Sequence, residues 1–178
     1  DLDLLWNYGF SKNVSDGLIM YKDFNMVITP LYPTITGLFM KLLGNNMIVF
    51  YIINAFYALL TLFIVYKLDK KIIFPFFIYF LFNTAPGYNT LTVFYVFLLI
   101  YLEKNNKSDY LIGLVISLAF LTKSSIGIFL ALPTLYYLKK PKKIIKRIIP
   151  VIITNLIVIG YFYLNNALYD YINYAFLG

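Results

Sequence analysis

Residues 47–66 read MIVFYIINAFYALLTLFIVY, twenty residues from Met47 to Tyr66 without a charge. At 1.5 Å per residue, a helix of that length covers the roughly 30 Å hydrocarbon core of a bilayer. Asn45-Asn46 precede the run, and Lys67-Leu68-Asp69-Lys70-Lys71 close it. Excess lysine and arginine marks the cytoplasmic flank of a span. The helix is therefore expected to enter from the outer side and end inside.

Composition points the same way. The 178 residues are 61% hydrophobic, 20% aromatic and 13% charged, with a mean hydropathy of +0.77. A soluble domain carries about 25% charged residues. So few charges cannot cover this much apolar surface, which excludes a soluble domain and a disordered chain. There is no Cys and no His. Disulfides, thiolate zinc sites and Ser-His triads are excluded with them. Chemistry falls to Asp, Glu, Lys, Tyr, Ser or the backbone. The chain starts at Asp1 with no signal-like segment, and reads as a piece of a longer protein.

Upstream of the span, residues 2–15 alternate at helical spacing. Leu2, Leu5, Trp6, Phe10 and Val14 share one face; Asp3, Asn7, Ser11 and Ser15 share the other. The segment is too polar to cross a bilayer and is expected to lie on its surface as an amphipathic helix, with Trp6 and Tyr8 at headgroup level. Gly17 is the expected helix stop, and residues 18–28 a loop. Thr29-Pro30 reads as an N-cap followed by proline at the first helical position, opening a short apolar helix to residue 43.

Downstream, residues 72–102 are apolar but broken by Asn83 to Thr90, a stretch containing Pro86-Gly87. Each half has about a dozen apolar residues, roughly 18 Å of helix. A hairpin with its polar tip below the outer surface is expected, since such backbone is tolerated against protein or a wet cavity. Residues 110–138 repeat the plan, with Lys123 at the tip. Residues 139–147, KKPKKIIKR, are the strongest cytoplasmic marker. A further span over 148–164 and an outer Tyr-rich segment over 165–178 complete the chain.

The expected fold is thus all-α. It is a polytopic membrane helical bundle with an outer surface helix and short hairpins. Residues 1–46 lie outside, 47–164 carry about six spans, and 165–178 lie outside. This places a charge of +8 on the inner segments and −1 on the outer ones, and +7 overall. Basic residues placed in short clusters between apolar runs argue for topology and against nucleic acid.

Asp3-Leu4-Leu5-Trp6-Asn7-Tyr8, Gly17, Tyr21-Lys22-Asp23-Phe24 and Thr29-Pro30-Leu31-Tyr32-Pro33 together resemble the first outer loop of GT-C glycosyltransferases. The resemblance is to bacterial members of the protein O-mannosyltransferase and aminoarabinose-transferase type. The stretch GLVISLAFLTK, Gly113 to Lys123, is similar as well. Leu4 stands where many members have Glu, and Thr29-Pro30-Leu31 replaces Pro-Pro-Leu.

The resemblance implies inverting transfer of a sugar from a polyprenyl-phosphate donor to a glycan, lipid or protein acceptor outside the cell membrane. It makes Asp3 the candidate general base, with Asp1 as a competitor, and Asp23 a possible second acid. Lys123, and then Lys22, would meet the phosphate. Asn7, Tyr21 and Asn89 complete the expected substrate-binding set. Asn89 and Asn83 have a second reading as groups that satisfy hairpin backbone. Asp16 reads as turn chemistry, and Tyr88 as packing. No cofactor is expected; a divalent cation held by Asp3 and Asp23 through oxygen stays open. The alternative function is a transporter or flippase-like protein of envelope polysaccharide export. A third is an integral assembly subunit without substrate.

Overall fold

The computed structural model describes residues 2–81, 87–137 and 139–177. Asp1 and Asn83 lie outside the described residues. Within them the chain is helical: α1 (Leu2–Ser15), α2 (Leu31–Leu43), α3 (Met47–Leu68), α4 (Ile73–Leu81), α5 (Tyr88–Lys104), α6 (Asp109–Thr122), α7 (Ser124–Ala131), α8 (Pro141–Leu164) and α9 (Leu168–Ile172). A 3-10 segment, Leu132–Tyr137, prolongs α7, and a π-helical turn, Asn173–Leu177, prolongs α9.

Helix ends follow local chemistry. The Asn46 side chain accepts from the Val49 N–H at 3.0 Å, which caps α3. After α1, Gly17 adopts φ 89°; its N–H bonds to the Val14 carbonyl and the Leu18 N–H to the Asn13 carbonyl. That pair of bonds closes a helix only around a left-handed residue, which glycine supplies. The expected Thr29 cap is not made. Helix α2 starts at Leu31 with Pro30 as its cap residue, no side chain bonds the open N–H groups, and the buried Thr29 hydroxyl has no partner. Helix α8 also starts earlier than expected. Pro141 takes the first turn of α8, where a missing N–H costs nothing, so Lys142 to Arg147 are helical rather than a connecting loop.

Two helices, α3 and α8, are long and apolar enough to cross a membrane. Only 39% of the apolar window of α3, and 11% of that of α8, is buried within the molecule. A core helix of a water-soluble protein would be mostly covered. Here Ile152, Ile153, Leu156 and Ile157 stand open on α8.

Packing runs α3 on α5, α5 on α6, and α6 on both α7 and α8, with α1 laid across α2. The main core joins Tyr32, Phe50, Tyr57, Leu91, Tyr95, Ile112 and Ala119. Close approach is built in at Gly113: a Cβ there would lie 2.0 Å from the Arg147 carbonyl oxygen. Further along the same contact, Ser117 bonds Thr154, and the Asn155 amide donates to Ser117 at 3.1 Å. Small and hydroxyl side chains of this kind let two helix backbones approach closely.

The expected two faces of α1 exist, and it is the polar one that is buried. Asn7, Ser11 and Ser15 face the protein, while Leu2, Leu5 and Trp6 are exposed. Their small size lets α2 approach closely, since a Cβ on Gly37 would sit 2.7 Å from the Ser11 carbonyl oxygen.

A second core forms where the chain returns. Asn166, at φ 56°, turns it back after α8. Phe162 and Tyr171 then stack at 4.6 Å around Tyr21, with Met20 and Met26 beside them.

Candidate functional site

Three separate stretches meet at one end of the α5–α6 pair: the first turns of α1, the start of α5, and the break between α6 and α7. Lys123 sits in the break with extended backbone, φ −154° and ψ 109°, between two helices. Its ammonium donates to the Asn89 amide oxygen at 3.2 Å and lies 5.1 Å from the centre of the Tyr88 ring. The Asn7 amide oxygen faces the Tyr88 N–H at 3.4 Å, and the Asn7 amide nitrogen donates to the Asp3 carbonyl at 2.7 Å. The Asp3 carboxylate is exposed and close enough to the Tyr88 phenol to act on it electrostatically.

Gly87 keeps this arrangement compact. A Cβ at that position would fall 2.7 Å from the Asn7 amide. Asn7 itself is buried, and Lys123 and Tyr88 are half-buried. The cluster thus offers an exposed carboxylate and a half-buried cation near one aromatic ring. Chemically it can accept a proton at Asp3 and hold an anion at Lys123.

Of the residues singled out by sequence, Asp3, Asn7, Asn89 and Lys123 are brought together. Tyr88, read as packing, joins them. Tyr21, Lys22 and Asp23 are bound elsewhere. Asp23 accepts from the Ile19 N–H at 2.7 Å and closes a tight turn. Lys22 is exposed on that turn. Tyr21 adopts φ 64°; its hydroxyl donates to the Ile28 carbonyl at 2.5 Å, and its ring is buried against Phe162. Phe24 stacks on Phe10, about 10 Å along α1 from Asp3 at the helical rise. Asp23 is thus engaged by the Ile19 turn beside the middle of α1, and Asp3 stands at that helix's start. Among the described residues no group of three or more Asp or Glu converges for a divalent cation.

Toward the C-terminal end of α1, away from Asp3, lies an apolar cavity of about 450 Å³ between α1, α2 and α8, with Val14, Leu31, Leu38, Ile157 and Phe162 on its walls. Leu121 reaches it from α6, two residues before Lys123. Asp16 stands at its far side in a structural role: it pairs with Lys12 at 2.9 Å and accepts from Asn45.

Sequence reasoning gave one charged residue a topological role only. Arg147 is 2% exposed. It donates to both oxygens of Glu103 at 2.6 and 3.2 Å, to Asp109 at 2.9 Å, and lies 4.6 Å from the Tyr137 ring centre. The signal was present: it is the single arginine among fifteen basic residues. A planar fork that meets two carboxylates is what lysine cannot supply.

No family model, no curated protein and no solved structure matches the chain.

Proposed function

We propose that the chain is part of a polytopic cell-membrane glycosyltransferase of GT-C type. It would transfer a sugar, with inversion, from a polyprenyl-phosphate donor to a glycan, lipid or protein acceptor on the outer side. Residues 1–46 then lie outside, and the Arg147 end of the bundle faces the cytoplasm. The observation that carries this reading is the meeting of Asp3, Asn7, Asn89 and Lys123 from three stretches that sequence alone linked only by resemblance.

The chemistry follows from the groups present. An acceptor hydroxyl attacking an anomeric carbon needs a base at its proton, and Asp3 offers an exposed carboxylate. The departing phosphate gains charge as the glycosidic bond breaks, and a cation beside it stabilises that charge. Lys123 is that cation, held in place by Asn89 and the Tyr88 ring. The apolar cavity starts at Leu121, two residues before Lys123, and gives a prenyl chain a place running away from it toward the C-terminal end of α1. Surrounding membrane lipid covers the open faces of α3 and α8.

The test is the surface-glycan profile, by mass spectrometry, of cells carrying Asp3→Asn or Asp23→Asn at matched protein level. Loss of one sugar with Asp3→Asn alone is the expected result. An unchanged profile, where gene deletion does change it, would overturn the assignment of Asp3.

A second reading, a transporter or flippase-like protein of polysaccharide export, is favoured by the broken helix at Lys123, since such breaks line solute paths in transporters. The two separate in opened vesicles. A transferase still makes product there, whereas a transporter has no gradient to act across.

A further inference from the structure

At the opposite end of the bundle a polar cavity of about 310 Å³ opens between the end of α5, the start of α6 and the start of α8. Lys107, Ser108, Lys143 and Lys146 line it, over a floor of Glu103, Asp109 and Arg147. We propose that it binds a phosphate group, borne by a lipid headgroup or free in solution.

The argument rests on how charge is distributed in the cavity. Arg147 engages both acids, Glu103 through two bonds and Asp109 through one. Their carboxylate oxygens are thereby turned to Arg147, which offsets one of the two negative charges at the floor. Among the described residues, no carboxylate lies within ion-pair reach of Lys107, Lys143 or Lys146. Four bases against two acids leave a surplus of +2 around one concavity. Aromatic rings hold two of the lysines near the cavity. The Lys143 ammonium lies 4.7 Å from the Tyr137 ring centre, and that of Lys146 6.0 Å from Tyr110. The exposed Ser108 hydroxyl adds a neutral donor. Ammonium groups converging with a hydroxyl suit a phosphate, which accepts at several oxygens.

Position favours the lipid source. The cavity adjoins the open apolar side of α8, so acyl chains can run along that helix while the headgroup enters between lysines. Basic pockets at the cytoplasmic ends of apolar helices hold anionic headgroups in this way. Only the choice of leaflet rests on the orientation proposed above; the site itself does not depend on the glycosyltransferase reading.

The experiment uses the whole chain in neutral detergent and counts bound lipid by native mass spectrometry. The probes are phosphatidylglycerol, diacylglycerol as its phosphate-free counterpart, and inorganic phosphate as competitor. Two triple variants each remove three charges: K107Q/K143Q/K146Q inside the cavity, and K139Q/K140Q/K142Q on the same basic run outside it. The single variant Lys143→Gln is expected to weaken phosphatidylglycerol binding about tenfold, the worth of one charge-assisted bond. The cavity triple is expected to abolish binding, and the outer triple to leave it unchanged. Displacement by inorganic phosphate would extend the site to the free ion, and no displacement would assign it to the lipid. Equal weakening by both triples, no weakening by either, or equal binding of diacylglycerol would overturn the proposal.

Discussion

Lys123 and Asn89 join by one hydrogen bond of 3.2 Å across two helices whose far ends are locked by another residue. Asn89 to Glu103 covers fourteen residue steps along α5, and Asp109 to Lys123 fourteen steps along α6 and the break that follows it. That is about 21 Å of helix in each case. The antiparallel pair is thus pinned at one end by Lys123–Asn89 and at the other by Arg147, which bonds Glu103 and Asp109 together. The candidate site has a rigid base although its own groups are half exposed.

Under the proposed chemistry, Lys123→Gln lowers sugar transfer by about a hundredfold to a thousandfold, the usual cost of removing a group that meets developing charge. Lys123→Arg restores part of it. Glycan yield at matched protein level measures both. Equal yield in Lys123→Gln and the unmodified chain would remove Lys123 from the reaction.

Arg147→Met leaves Glu103 and Asp109 facing each other with no cation between them. Both acids are partly exposed, at 28% and 15%, so the loss falls near the low end for a broken buried pair, about 3 kcal/mol. The triple variant E103Q/D109N/R147M recovers most of it. Denaturant unfolding of the whole chain in detergent reads the difference. Arg147→Lys is also destabilised, because one ammonium cannot meet both acids in the fork geometry.

Gly113→Ala puts a methyl 2.0 Å from the Arg147 carbonyl oxygen, against backbone that cannot yield. Overpacking of this kind costs about 1–3 kcal/mol. Gly160→Ala, on the same α8 but with nothing within 4 Å of its added Cβ, is expected to be neutral or to stabilise slightly. The two melting temperatures, measured side by side, test whether α6 and α8 touch where the structure places them.

Burial pushes the Tyr171 phenol from its ordinary 10.0 up to about 12, and pushes Tyr21 up as well. The unfolded chain ionises these groups more easily than the folded one. The stability they confer is whole below pH 10 and falls as the pH rises through about 12. An alkaline titration followed by phenolate absorbance should show a late step accompanied by loosening of the C-terminal return. Tyr171→Phe should move that loosening to higher pH.

The sequence made some of this legible and hid the rest for physical reasons. Helix α3 was readable because an uncharged twenty-residue run has few alternatives, and Asn46 caps it where the pattern starts. The break at Lys123 was readable because a lone lysine in apolar sequence interrupts the period. The orientation of α1 was not: spacing shows that Asn7, Ser11 and Ser15 share a face, and cannot show that this face meets Gly37 and Gly87. Tyr21 read as a site residue through the resemblance alone. Its positive φ and its packing against Phe162, 141 positions later, are tertiary facts. Arg147 was hidden by its lysine neighbours, since a basic run has a sufficient explanation in topology. Its partners Glu103 and Asp109 are separated from it by an intervening helix pair.

The inward polar face of α1 reverses the ordinary tolerance of a helix to substitution. In most helices the small polar positions are free to drift and the large apolar ones are fixed. Here Asn7, Ser11 and Ser15 are the interlocking parts, and Leu2, Leu5 and Trp6 need only remain greasy. A saturation scan of this segment would therefore look inverted: serine to leucine would break it, and leucine to phenylalanine would pass unnoticed.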